Sequence, residues 1–466
     1  MEAPIFGIDS LAMFTNSKGI KGRGTLVFVS RSLAVIEIYN PYSIVQLSEV
    51  MAELRLVRGE RTLYRGKAVV TSIVHTGLMT IASLTLTEAW NGLIAATSEE
   101  ALLTEVEEFL DDWDKSNDIA DAYQLVVNQM SRFLAEVSRW AQEAETAVSA
   151  QDFGKESEAE AVKRAIERPT SGRIARFFQL FEEEASKVPA EDVPLYKAFA
   201  RREIHPYMLC TPFAYRTYTK PLGYAGDYEM VNMMLQESDA KTEGSYAQIF
   251  QDVQTNVAAA IAHRNRIDFL SQRIAEEAER VTDEQRLFTA LDVGCGPASE
   301  VQRFIRTSPL ASQSIFHLMD FNHETLDFAA QRVERAKAQG SRAVNVEFIE
   351  RSIDDLLREA GEAVDSAPQP LYDLVYCAGL FDYFTDVVCR RLTQLFYGML
   401  RPGGLLVTTN VTPRNPERYT MEHLLEWYLI YRDEESMAGL APANTNPKIT
   451  VDDTGVNVFF ELRKQP

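Results

Sequence analysis

Phe288-Thr289-Ala290-Leu291-Asp292-Val293-Gly294-Cys295-Gly296-Pro297-Ala298-Ser299-Glu300 is the stretch that decides the fold. The apolar run from Leu287 to Leu291 has the length of a buried strand. It passes an acidic residue, Asp292, and enters a glycine turn at Gly294 and Gly296. Ser299 reads as a helix N-cap, with Val301, Phe304 and Ile305 at helical spacing behind it. The pattern predicts a strand, a glycine loop and a helix. Glycine lets the backbone approach a ligand where a side chain would stand in the way. The helix start offers free N–H groups beside that loop. A dinucleotide fingerprint needs a third glycine where Ser299 stands, which argues against NAD. A tight turn that binds nothing has the same local pattern, so the downstream order of strands and helices must decide.

From residue 287 onward strands and helices alternate, which predicts a parallel, doubly wound sheet. The second strand, Ile315 to Met319, ends at Asp320, 28 residues after Asp292 (320 − 292 = 28). An acidic residue at that strand end can accept hydrogen bonds from both hydroxyls of a ribose. Leu326, Ala329, Ala330 and Val333 give the next helix its apolar side. Val346 to Ile349 is a third strand, followed by Ser352-Ile353-Asp354. Tyr372 to Cys377 is a fourth, with the exit loop Ala378-Gly379-Leu380-Phe381-Asp382-Tyr383 at the carboxyl edge, where open α/β sheets bind ligands. Leu400-Arg401-Pro402-Gly403-Gly404 precedes a fifth strand, and Ile449 to Leu462, with Asp453-Thr454-Gly455 inside it, reads as a hairpin.

These features, in this order, resemble the class I S-adenosylmethionine (SAM) methyltransferases. The resemblance implies a Rossmann-like α/β core of strand order 3-2-1-4-5-7-6, with SAM as cofactor. It places Asp292, Gly294 and Gly296 around the methionine part of SAM and Asp320 on the ribose. It puts Ser352 and Ile353 near the adenine, with Ser352 or Asp354 making the contact, and Ala378 and Gly379 at the pocket wall.

Residues 203–230 interleave aromatic, polar, proline and glycine residues without clean periodicity, which predicts a shaped loop rather than a helix. Its Lys220-Pro221-Leu222-Gly223-Tyr224-Ala225-Gly226-Asp227-Tyr228-Glu229-Met230 is similar to a segment of the bacterial extracellular-factor (3-hydroxypalmitic acid methyl ester) biosynthesis methyltransferases. That resemblance covers roughly residues 200 to 466 and implies a small, carboxylate-bearing acyl substrate. The loop is expected to close over the SAM pocket. Tyr224, Asp227 and His205 are the candidate catalytic residues, and Tyr207, Tyr228, Asp382 and Tyr383 the candidate substrate contacts. Aromatic faces stabilise a sulfonium cation, which suits Tyr224, Tyr228 and Tyr383. A carboxylate nucleophile is already ionised and needs no base. An amine or hydroxyl nucleophile would need one, and His205 and Asp227 are then the candidates.

Upstream, residues 1 to about 95 carry short β-branched runs at Gly24–Val29, Ala34–Tyr39, Ala52–Val57 and Gly66–Val70, which predict a small antiparallel barrel. It resembles a degenerate PilZ domain, the cyclic-di-GMP receptor module. Ser30-Arg31-Ser32-Leu33-Ala34 stands where that family carries D/N-x-S-x-x-G, and both the acidic or amide residue and the glycine are missing. Lys18, Lys21 and Arg23 stand in place of its R-x-x-x-R. Paired arginines are what read phosphate and guanine edges, so the fold is expected without the nucleotide, as a packing or dimerisation module.

Residues 96–200 are expected to be helical. Thr97 and Glu100 form a capping box. One apolar stripe runs through Leu102, Leu103, Val106, Phe109, Leu110 and Trp113, and a second through Val126, Val127, Met130, Phe133, Leu134, Val137 and Trp140, with a turn at Lys115–Asp118 between them. Gln151–Glu167 reads as a linker or a solvated helix, Arg173–Phe181 as the start of another helix, and 245–278 as one helix leading into the core. The expected domains are thus 1–95, 96–200, a lid segment 201–280 and a SAM-binding core 281–466.

A chain of 466 residues, 46% hydrophobic, has material for two or three domains. Its formal charge of −21 repels phosphate backbones and disfavours nucleic-acid and anionic-membrane partners. The four cysteines lack C-x-x-C spacing, which fits reduced thiols in a cytoplasm and offers no metal site. Together these features point to a cytoplasmic SAM-dependent O-methyltransferase of a small molecule, with a homodimer through the N-terminal and helical regions as an option. An N- or O-methyltransferase of another metabolite, and a PilZ-like signalling protein with a scaffold core, are the competing classes.

Overall fold

The computed structural model describes residues 10–88 apart from 18, 31, 39–44, 59–60 and 76–79; residues 103, 106, 107 and 110; and residues 119–149, 155–362 and 372–465. The capping box at Thr97, the turn at Lys115–Asp118, and Arg31, Leu102, Phe109 and Trp113 lie outside the described residues.

Two compact units emerge. The first comprises Met1–Ala225, Ala240–Gln254 and Glu417–Tyr428, and the second Gly226–Asp239, Thr255–Pro416 and Leu429–Pro466.

In the first unit, strands β1 (Ser10–Thr15), β2 (Lys21–Val29), β3 (Leu33–Ile38), β4 (Val50–Arg58), β5 (Arg61–His75) and β6 (Thr80–Leu86) close into a barrel of order β1-β2-β3-β6-β5-β4. Every neighbouring pair is antiparallel. Closure leaves no strand edge unpaired. Alternate residues fill the inside: Ala34 and Ile36 from β3, Leu54 and Leu56 from β4, Ala82 and Leu84 from β6. β1 escaped the sequence reading because Leu11 and Met13 are apolar on the outward parity, which hides the alternation of Ala12 and Phe14.

Helices Asp121–Ser149, Lys155–Ala185, Val193–Met208 and Ser245–Gln254 share the unit's second core through Val127, Met130, Leu134, Phe181, Ile204 and Phe250. Gln151–Glu167 resolves, over its described part, as the start of the long helix that also contains Arg173–Phe181. Three expectations are corrected. Trp140, assigned to the inner stripe, is 62% exposed, and Leu103, Val106 and Leu110 are exposed as well. The segment 203–230 is not an irregular loop: it contributes to helices Val193–Met208, Pro212–Thr219 and Tyr228–Met234. Pro212 sits in the first turn of its helix behind the Thr211 cap, where its missing N–H costs nothing. Only 209–211 and 220–227 are non-helical, and in the second of these Gly223 and Gly226 have φ of 84° and 78°. The expected single helix 245–278 is likewise two, Ser245–Gln254 and Ala258–Asp283.

The second unit is a seven-stranded sheet of β7 (Phe288–Val293), β8 (Ser314–Asp320), β9 (Asn345–Glu350), β10 (Tyr372–Cys377), β11 (Leu400–Val411), β12 (Lys448–Val451) and β13 (Asn457–Arg463), in the order β12-β13-β11-β10-β7-β8-β9. Counted within the sheet this is 6-7-5-4-1-2-3, the expected order read from the other edge. β13 runs antiparallel to both its neighbours, and the other pairs are parallel. β7 and β10 are buried along their whole length, as central parallel strands covered on both faces must be. The strand order reverses between them, so the crevice at their carboxyl ends is where a ligand belongs.

Candidate active site

β7 delivers Asp292 to this crevice and then turns at Gly294 and Gly296, whose φ values are 75° and 51°. Only glycine adopts such angles without strain. A Cβ on Gly294 would lie 2.6 Å from a Leu380 methyl, whereas one on Gly296 would meet no protein atom within 4 Å. The loop is thus packed on one side and open on the other. The cap of the following helix is Ala298, in the left-handed region, rather than Ser299, which is buried as the first helical residue with its hydroxyl unpartnered among the described residues.

β8 delivers Asp320. Its Oδ2 accepts the Gly296 amide at 3.3 Å and its Oδ1 the Asn322 amide at 3.0 Å. Burial nevertheless pushes its carboxyl up to about 6, against those two amides.

Asp292 lies beside Glu300, which accepts the Tyr376 hydroxyl at 2.9 Å. Burial, and then the charge of Glu300, hold the Asp292 carboxyl well above the usual range, and burial raises Glu300 as well. Oδ2 of Asp292 is buried without a partner among the described residues.

A cation missing from the sequence reading completes the group. Arg266, on helix Ala258–Asp283, lies against Gly379, where a Cβ would come within 3.0 Å of its Nη1. Its Nη2 donates to Nδ1 of His263 at 2.8 Å, and its Nε is buried without a partner among the described residues. Burial keeps His263 neutral and therefore able to accept. Glu300, Asp382 and Tyr383 act on this guanidinium electrostatically. Arg266 had no sequence signal, because one arginine in a helix rich in Arg and Glu looks like a solvated face.

The remaining expected residues divide clearly. Gly379 donates its amide to Thr409 Oγ1 at 3.1 Å and, at φ 90°, holds the exit of β10 open, with the half-buried Ala378 before it. Ser352 caps the helix Ile353–Glu362: its hydroxyl donates to Asp355 at 2.6 Å and accepts that residue's amide at 3.2 Å, while Ile353 is buried. Asp382 is buried and pins two strands of chain, accepting the Val411 amide on Oδ1 at 2.7 Å and the Ile430 amide on its carbonyl at 2.7 Å. Tyr383 follows it in a single 3-10 turn. Tyr228 donates to Glu324 at 2.9 Å and packs its ring on Phe328. Asp227 caps the helix Tyr228–Met234 by accepting the amides of Glu229 and Met230. His205, Tyr207 and Tyr224 belong to the first unit. There Nε2 of His205 lies 2.8 Å from the Leu424 carbonyl, the carbonyl of Tyr207 accepts the Tyr246 hydroxyl at 2.9 Å, and Tyr224 is half-buried.

Against known proteins, residues 291–406 match the family model described as a methyltransferase domain. The chain carries a methyltransferase domain. Its core is the strand–glycine loop–helix unit together with Asp320 and the β10 exit. Over 158 residues the chain is 27% identical to the malonyl-[acyl-carrier protein] O-methyltransferase of Halalkalibacterium halodurans. That alignment covers 34% of this chain and about half, 49%, of the relative. Among solved structures, the N-methyltransferase NodS of Bradyrhizobium japonicum with S-adenosyl-L-homocysteine aligns at 15% identity and a TM-score of 0.30, over 44% of this chain and 88% of that one. The magnesium protoporphyrin IX methyltransferase of Synechocystis aligns at 12% identity and a TM-score of 0.34, over 58% of this chain and 99% of that one.

SAM, the methyl donor of class I methyltransferase domains, fits the donor set of this site. Its ribose needs acceptors, its ammonium a carboxylate and its carboxylate a cation. Asp320, the Asp292–Glu300 pair and the under-bonded Arg266 are of those kinds. No helix among the described residues is long and apolar enough to cross a membrane.

Proposed function

We propose that this chain is a SAM-dependent O-methyltransferase whose acceptor is the carboxylate of a small acyl or hydroxy fatty acid. The observation that carries the methyl-transfer part is the pairing of a glycine loop, open at Gly296, with the buried acceptors Asp292 and Asp320 and the donor Arg266. SAM supplies an electrophilic methyl group when bound. Asp320 would hold the ribose, Arg266 the methionine carboxylate, and the Asp292–Glu300 pair the methionine ammonium. The buried walls exclude water and strengthen each of those contacts. Tyr383, at the β10 exit, would offer an aromatic face to the sulfonium.

The carboxylate acceptor is favoured over an amine or hydroxyl by the state of the candidate bases. Asp227 spends its Oδ1 on a helix cap, and burial drives the ring of His205 down to about 4 while it is tied to a backbone carbonyl. A carboxylate needs neither. The relative's name, malonyl-[acyl-carrier protein] O-methyltransferase, also denotes methylation on oxygen, which supports the same class. The barrel serves as a packing module in this proposal, since the PilZ-type nucleotide contacts are absent from its sequence. The test is formation of S-adenosylhomocysteine and a methyl ester, followed by mass spectrometry, with 3-hydroxy fatty acids and a malonyl thioester offered as acceptors. Ester formation supports the proposal. Transfer to amines or hydroxyls alone overturns the acceptor assignment.

A further inference from the structure

Lys197, Arg201 and His205 succeed one another at four-residue spacing on helix Val193–Met208 and so share a face. They meet the segment Thr420–Tyr428, all within the first unit. Glu426 lies there fully buried, in the left-handed region at φ 50°. Its carboxylate is 3.1 Å from Lys197 Nζ, pairs with Arg201 and accepts the Tyr428 hydroxyl at 2.8 Å. Lys220, the lysine of the glycine-rich turn that methyl transfer leaves unused, is also buried and left-handed, at φ 46°. Its ammonium donates to the carbonyls of Leu425 at 3.0 Å and Tyr218 at 3.5 Å. Strained, non-glycine positions of this kind gather at functional sites, and the π-helical turn Thr420–Leu424 between them has the same association.

The charges do not balance. Among the described residues three cations, Lys197, Arg201 and Lys220, share the single carboxylate of Glu426, and the nearby Glu422 is 2.9 Å from Arg418. His205 and His423 are kept neutral by burial. An unbalanced buried charge is costly, and burial accordingly lowers Lys220 to about 7 and Lys197 to about 8. Arg201 cannot deprotonate in this range. Its side chain reaches a groove of about 610 Å³, lined by Arg201, Arg202, His205, Pro206, Leu209 and Cys210. The groove has a cationic end and an apolar wall.

We propose that this groove binds a small carboxylate with an apolar body, its charge held by Arg201 and supported by Lys197 and Lys220. The proposal does not rest on the methyl-transfer reading, because every residue it uses is outside the methyltransferase domain. Octanoate titrated calorimetrically into the full chain near about pH 7, in two buffers of different ionisation enthalpy, tests it. Saturable binding with proton uptake is expected, because a bound anion restores the charge on Lys220. Lys220→Met should weaken binding about tenfold, as expected for losing an interaction with a charged group, and remove most of the proton uptake, while Lys220→Arg restores affinity. Absence of saturable binding by the wild-type chain overturns the proposal, as does unchanged affinity and proton uptake in a folded Lys220→Met. Saturable binding of inorganic phosphate without octanoate overturns the carboxylate assignment. The proton uptake of the wild-type chain decides the matter even if Lys220→Met does not fold.

Discussion

Asp320 accepts the backbone amide of Gly296 at 3.3 Å, so the end of β8 fixes the glycine loop that leaves β7. One residue therefore ties two segments: its Oδ2 holds the glycine loop and its Oδ1 the Asn322 amide at the start of the next helix. Its carboxyl is raised to about 6 chiefly by burial, against the amides of Asn322 and Gly296.

That position gives a pH dependence with a definite sign. Ribose hydroxyls donate to the ionised carboxylate, so affinity for S-adenosylhomocysteine should be full above about pH 6 and fall as the pH drops through it. The stability of the ligand-free protein moves the other way. A carboxyl raised above its ordinary value of 3.8 binds its proton more tightly when folded, so its contribution declines as pH rises from about 4 through about 6. Calorimetry for binding and thermal melts for stability, each across that window, should show the opposite slopes, and both should flatten in Asp320→Asn.

The two loop glycines separate packing from binding. Gly294→Ala puts a methyl group into Leu380 at a φ of 75° and should cost about 1–3 kcal/mol of stability. Gly296→Ala meets no protein atom within 4 Å. Its melting point should fall less than that of Gly294→Ala, while its cofactor affinity falls at least as far. Equal loss of both properties in both variants would refute the idea that the space beside Gly296 is the cofactor's.

Arg266→Gln should weaken S-adenosylhomocysteine by about 1.5–3 kcal/mol, the worth of a hydrogen bond to a charged group. It should leave 5′-methylthioadenosine, which has no amino-acid carboxylate, almost unaffected. Equal losses for the two ligands would place Arg266 in a purely structural role beside Gly379.

The fold was legible where periodicity, glycine turns and strand-end acids agreed. β7, Asp292, the loop glycines and Asp320 rest on that agreement, whereas the sheet order was implied by the family resemblance alone. The failures have physical causes. In 203–230 the prolines resemble loop markers, yet Pro212 occupies a first helical turn and Pro206 lies near a helix end. Separately from the roles expected of them, Ser352 and Asp227 carry capping bonds that any Ser or Asp ahead of a helix can make. Arg266 and the Lys197–Arg201–Lys220 cluster depend on burial and on charge balance between segments far apart in sequence, which no local pattern encodes.

Stability should track burial, not the apolar stripe. Leu134→Ala, in the helical core, should cost about 2–5 kcal/mol. Leu103→Ala and Trp140→Ala change exposed side chains and should stay within about 0.5 kcal/mol. Denaturant titration of the three variants checks this, and a large loss in Trp140→Ala would mean that surface is covered.

The most direct test of SAM use is calorimetric titration of S-adenosylhomocysteine into the wild-type chain and into Asp320→Ala. Saturable binding by the wild-type chain is expected, with a loss of about 1.5–3 kcal/mol in the variant from the missing charged acceptor. No saturable binding by the folded wild-type chain, or equal affinity in the two proteins, would contradict SAM use through Asp320.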